Sequence, residues 1–226
     1  MYNKMGERYL SKAKKLLFHP SQFYKSIEPD KAYSKAMFFY VNTIIISVVI
    51  SIIASLIVSS ITGTLTASSF FSSIAGYIMN IGLAFLIPFV AAGITHLGVL
   101  MFRGKQGYQN SYKIVAYSFA IMGIYGMLST IVLNIVALIA PITATDPALM
   151  IQDPNFIKSM IVFGIIALIS IIHSLAFQVG GISKFQKMSK LRAFFAIIII
   201  PLILFILFAV VVIWAILSSS ILQAAG

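Results

Sequence analysis

Five apolar runs without a single Asp, Glu, Lys or Arg divide this sequence: 36–60, 74–102, 114–140, 159–179 and 193–217. A helix rises about 1.5 Å per residue and the hydrocarbon core of a bilayer is ~30 Å thick, so about 20 apolar residues make one crossing. Every run is long enough. Soluble domains carry roughly 25% charged residues. Here the share is 9%, beside 60% hydrophobic residues, which is too little charge to solvate a soluble surface. The sequence therefore predicts an all-α polytopic membrane protein with five transmembrane helices. The first run is 25 residues long and follows 35 mixed ones. Signal peptides have a shorter apolar region, so this run is read as a retained helix. Pro88 and Pro201 fall mid-run and are expected to kink the second and fifth helices.

Charge sits between the runs, and it sits unevenly. Residues 1–35 hold eight Lys or Arg, residues 103–113 hold Arg103, Lys105 and Lys113, and residues 180–192 hold Lys184, Lys187, Lys190 and Arg192. Residues 61–73 and 218–226 hold no cation, and 141–158 holds Lys158 with Asp146 and Asp153. Fifteen of the 16 cations thus fall on alternate segments. Cytoplasmic loops retain Lys and Arg, so the N-terminus is expected in the cytoplasm and the C-terminus outside. The net charge of +11 then lines one membrane face, and nucleic acid is not expected as a partner. No segment outside the runs exceeds 35 residues, below the ~40 at which a chain folds alone. The organisation expected is a basic cytoplasmic segment over 1–35, one transmembrane domain over 36–217 and an outer tail over 218–226.

Within the basic segment, Tyr9, Leu10, Ala13, Leu16 and Leu17 recur at helical spacing among Arg8, Lys12, Lys14 and Lys15. A basic amphipathic helix lies in the headgroup plane, drawn to anionic lipid. The plainer alternative is a solvated helix that only retains the terminus inside. His19-Pro20 ends it, and residues 21–27 form a second short amphipathic turn.

Thr43, Ser47, Ser51, Ser55 and Ser59 recur every four residues in the first run, and Ala116, Ala120 and Gly123 share a face of the third, with Gly126 one turn on. Small residues let helices approach closely in lipid, and a water-lined path is the alternative. Buried polar groups are costly unless partnered. Asn42, His96 and His173 each lie six residues from the expected cytoplasmic end of their run, about 9 Å deep. Asn80 and Asn134 lie equally far from the outer ends. These five are expected to act as interhelical hydrogen-bond clamps or, for Asn42, His96 and His173, to line a polar pocket. The intervals from His96 to Lys113 and from His173 to Arg192 are similar, 17 and 19 residues, which suggests two comparable cytoplasmic hairpins.

Chemistry-bearing motifs are missing. The sequence has no cysteine and no intramembrane carboxylate, nor a nucleophile elbow, HExxH or phosphate-binding loop. Two histidines alone make a poor metal site, since a catalytic zinc takes three protein ligands. No enzymatic activity, cofactor or metal is expected.

Three stretches carry a family resemblance. Leu16-Leu17-Phe18-His19-Pro20 with Phe23 and Ile27 precedes the first run, Arg103–Lys113 leads into Val115-Ala116-Tyr117-Ser118, and Gly180-Gly181-Ile182-Ser183-Lys184 introduces the last run with its Pro201. Over roughly residues 16–217 this resembles the prokaryotic branch of the Yip (Ypt-interacting protein) domain family. The resemblance implies five spans and a cytoplasmic N-terminus. Eukaryotic relatives bind prenylated Rab-type GTPases in traffic between endoplasmic reticulum and Golgi. Their long N-terminal region and Asp-Leu-Tyr-Gly-Pro motif are not found in this sequence, so that role is not carried over.

The function expected is that of a multi-pass scaffold or organising subunit of a prokaryotic cell membrane, acting through its basic face. Gly104, Gly107 and Tyr108 in the first cytoplasmic loop, where the glycines permit a tight turn, are candidate binding residues. Lys184, Lys187, Lys190 and Arg192 are candidates for contact with anionic lipid headgroups, a membrane-protein partner or a second copy of the chain. Alternatively these charges only set topology. A small transporter or channel with a cytoplasm-facing polar pocket is the other functional class.

Overall fold

The computed structural model describes residues 2–27, 33–63, 67–140 and 151–224. Seven helices make up the regular structure among these: α1 (Tyr2–Phe18), α2 (Pro20–Ile27), α3 (Tyr33–Thr62), α4 (Ala67–Met101), α5 (Tyr108–Ile139), α6 (Pro154–Phe185) and α7 (Lys190–Ala224). The last five are long and apolar enough to cross a membrane.

These helices outrun the apolar stretches that predict them. α5 has 32 residues, about 48 Å of helix against ~30 Å of hydrocarbon. Much of the surplus lies at the cation-rich end. There α5 begins at Tyr108 and α6 continues to Phe185, so the expected loops over 103–113 and 180–192 shrink to turns over 102–107 and 186–189. Lipid sets a minimum on apolar length but no maximum on helix length. Once nucleated, a helix gains one hydrogen bond per residue added, and polar residues extend it past the hydrocarbon. α4 likewise starts at Ala67, inside the expected 61–73 loop.

α5 is the hub of the bundle. α3, α4 and α6 pack on it, and α7 packs outside on α4 and α6. Residues 111–118 of α5 are buried in succession, on every side, as only a helix surrounded by others can be. The small-residue stripe of α3 faces it. Thr43 and Ser51 are buried, and Ser47 Oγ donates to the Gly123 carbonyl at 3.1 Å. A Cβ on Gly123 would meet Thr43 and Ile44 at 3.3 Å, so glycine sets that spacing. α4 and α7 meet still more closely: a Cβ on Gly98 would collide with the Ala196 backbone. Both helices continue through their prolines, Pro88 and Pro201. At the opposite end Asp153 caps α6, accepting from the Asn155 amide at 2.8 Å with Pro154 in the first turn.

The N-terminal segment departs from the simplest interfacial picture. Leu16, Phe23 and Ile27 are fully buried against the bundle. Protein thus takes much of the apolar face of α1 and α2 that lipid was expected to cover. Leu10 and Phe18 stay outside, each 69% exposed.

Candidate functional site

Two turns at the cation-rich end are built alike. Arg103 and Lys187 both adopt positive φ, 61° and 54°, a left-handed conformation that non-glycine residues rarely take. In each turn the following amide bonds back five residues: Gly104 N–H donates to Val99 O at 2.8 Å and Met188 N–H to Ser183 O at 3.1 Å. This is the Schellman ending of a helix, made twice with a basic residue at the left-handed position. The hairpin echo expected from the histidine spacing is therefore present in the turns, but in another register. Seven residues before Lys187 stands Gly180, where His96 stands seven before Arg103. His173 lies two helical turns further away.

Gln186 joins the two turns. Its side chain is fully buried. Its Oε1 accepts from the Gln106 amide at 3.0 Å, and its Nε2 donates to Ser111 Oγ at 3.0 Å and to the Gly107 carbonyl at 3.3 Å. Ser111 Oγ shares a 3.0 Å hydrogen bond with His96 Nδ1. Ser111 Oγ links the Gln186 amide to the His96 ring. One amide thus ties the second turn to the first and to α5, and Ser111 extends the link to His96 of α4. Gly104 belongs here too, since a Cβ would collide with Val99 and reach Gln186 Oε1 at 3.4 Å.

The N-terminal helices lock onto the same end. Tyr24 of α2 lies over Gly180, where a Cβ would come within 2.9 Å of its hydroxyl, and donates to the Phe177 carbonyl at 2.7 Å. Gly181 makes the same room for Ile114 of α5. Lys113 is buried, donates at 3.1 Å to the carbonyl of Ile27, the last residue of α2, and lies 5.1 Å from the Phe185 ring centroid. A cation there complements the negative end of the helix dipole. Lys12 donates to Tyr117 Oη at 2.6 Å within 6.0 Å of the Phe23, Phe39 and Tyr117 rings, a cation–π cage. Tyr9 stacks on Phe39 and shares a 2.7 Å hydrogen bond with Thr43. Burial raises the pKa of both Tyr9 and Tyr24.

The residues singled out from sequence are distributed around this end rather than gathered in it. Lys184, Lys187, Lys190 and Arg192 are exposed together on the second turn and its flanking helices. Gly107 precedes α5 as its N-cap with no atom within 4 Å of where a Cβ would be. Tyr108 donates to the Phe89 carbonyl at 2.8 Å and packs edge-on against His96. His173 shares a 3.1 Å bond with Tyr125 of α5. Tyr125 stands fourteen residues along α5 from Ser111, the partner of His96, a rise of about 21 Å. The expected common layer is therefore not formed. It assumed that α6 ends near Val179, whereas α6 runs to Phe185 and leaves His173 deeper. Asn42 lines a groove between α1, α3 and α5. Asn134 Nδ2 donates to Thr130 O within its own helix at 2.8 Å, so this bond is not interhelical. The Asn80 side chain lies outside the described residues. Gln186 and Lys12 were missed because a glutamine beside a lysine and a lysine on a basic helix both read as solvated. Among the described residues no three His, Asp or Glu side chains cluster as metal ligands would.

No curated protein and no solved structure matches the chain. A family model does: the Yip1 domain, over residues 14–213. That match takes in α2 to α6, both turns and most of α7, together with the end of α1. The chain is a multi-pass membrane protein that belongs to the Yip1 domain family.

Proposed function

We propose that the protein is a non-enzymatic scaffold or organising subunit of a prokaryotic cell membrane, with its N-terminus and basic turns in the cytoplasm and its C-terminus outside. One observation carries this reading: Gln186 fixes the two turns to each other, and Lys184, Lys187, Lys190 and Arg192 stand exposed on the fixed assembly. A held set of cations presents one fixed pattern to anionic headgroups, an acidic membrane-protein partner or a second copy, whereas a floppy loop would lose entropy on binding. The transporter reading has less support, since of Asn42, His96 and His173 only Asn42 lines the large groove.

The test is purification from the native membrane in mild detergent, with and without Gln at Lys184, Lys187, Lys190 and Arg192. A stoichiometric protein or enriched anionic lipid that is lost from the substituted protein supports the scaffold. Identical recovery from both proteins, or none from either, removes it and gives priority to solute-flux assays in liposomes.

A further inference from the structure

A groove of about 390 Å³ runs between α6 and α7 beneath the second turn, within the ~300–1,000 Å³ common for ligand sites. Small residues make it. Ala176 and Gly180 stand one helical turn apart on α6 and leave the space, with Leu175 and Val179 beside them. Position 180 cannot fill it, because the Tyr24 hydroxyl would meet a Cβ there at 2.9 Å. On the α7 side Lys190 stands at the mouth and Phe194 one turn further in, and Ile172 of α6 closes the inner end. From Gly180 to Ile172 α6 runs about 12 Å, most of the ~15 Å of hydrocarbon in one leaflet. Ile172 is 58% exposed and Ala176 is exposed as well, so the groove opens sideways, toward lipid, and not into the bundle core.

We propose that this groove binds one anionic glycerophospholipid, its phosphate at Lys190 and one acyl chain along Val179, Ala176 and Ile172 against Phe194. Charge and shape select this occupant together. The cation-rich segments hold fifteen Lys or Arg and three carboxylates, Glu7, Glu28 and Asp30. Pairing all three would still leave a large positive excess on that side of the membrane. The other two carboxylates, Asp146 and Asp153, belong to the segment at the opposite end. Basic residues at a membrane surface draw anionic lipid, and a zwitterionic headgroup gains less because its own ammonium is repelled. Lys190 is also the first residue of α7, so the positive end of that helix dipole adds to the same field. Below the headgroup, an acyl chain fills the space that Ala176 and Gly180 leave open. The inference deepens the scaffold reading and rests on it, since it names anionic lipid as what Lys190 meets.

Native mass spectrometry of the full chain, titrated in mixed micelles with palmitoyl-oleoyl phosphatidylglycerol or phosphatidylcholine, tests it. One phosphatidylglycerol should stay bound at collision energies that strip the rest, and phosphatidylcholine should not. Lys190→Gln should raise the phosphatidylglycerol needed for half occupancy about fivefold. Lys14→Gln, which removes the same charge from α1, should leave it unchanged. Ala176→Trp, at an exposed position, should fill the groove and abolish retention while helicity is unchanged. Ile172→Trp is the second blocking variant and decides the matter if the first does not fold. Equal retention of the two lipids by the native chain overturns the proposal. So does native-like retention by Lys190→Gln or by a folded blocking variant, or an equal loss from Lys14→Gln. The scaffold reading fails separately: a protein partner lost from the fourfold Gln variant but kept by Ala176→Trp sustains the scaffold whatever the lipid result.

Discussion

Gln186 shows how much one buried amide can organise. Its three side-chain hydrogen bonds reach Gln106, Gly107 and Ser111. Leucine there would fill the space and leave the Gln106 N–H without that partner, while the Gly107 carbonyl would keep the Asn110 N–H at 3.1 Å. Each buried polar group so orphaned costs about 1–3 kcal/mol. Gln186→Leu should therefore destabilise by about 1–3 kcal/mol and lower the thermal midpoint in detergent by several degrees; an unchanged midpoint would mean that water replaces the amide. The histidines give a second test at this scale. His96→Leu and His173→Leu each remove one interhelical bond, worth about 0.6–2 kcal/mol in a membrane. Their partners lie on α5 about 21 Å apart, so the double variant should be additive within ~0.5 kcal/mol. A larger coupling would show one shared site. The polar residues were legible in sequence as residues needing partners. Which partner each takes was not, because it depends on where helices end, and α6 ends six residues beyond its apolar run.

At the scale of elements, the five crossing helices were legible because lipid demands long uncharged runs, a constraint few sequences meet by chance. The docking of α1 and α2 was not. Leu16, Phe23 and Ile27 carry the same periodicity whether the apolar face meets lipid or protein, and only the glycine pair at 180–181, which admits Tyr24 and Ile114, hints at the second. That docking should depend on pH. Burial lifts Tyr9 and Tyr24 above the ordinary tyrosine pKa of 10.0, so the folded state favours the neutral phenol. Its contribution is whole below about pH 10 and is lost as pH rises through the raised folded values. α1 and α2 should stay docked from neutral pH to about pH 10 and loosen above it. Tyrosinate absorbance in detergent checks this by difference, since Tyr24→Phe should remove a late-titrating group. If it instead removes one that titrates near 10, the buried docking is wrong.

For the whole molecule, fifteen of the 16 cations on alternate segments give orientation a clear expectation. The sequence holds no cysteine, so single cysteines can be introduced without background. Lys187→Cys should react with a membrane-impermeant maleimide only in inside-out vesicles, and Gln152→Cys only in right-side-out ones. The reverse pattern would invert the topology and with it the cytoplasmic role of the basic face. Protease shaving, a common way to ask the same question, should mislead here. A protease needs several residues of extended backbone in its cleft, yet Arg103 and Lys187 sit in closed, left-handed helix endings stitched together by Gln186. Folded protein should therefore resist trypsin at both turns even from the side that faces the enzyme, and silence there would say nothing about sidedness.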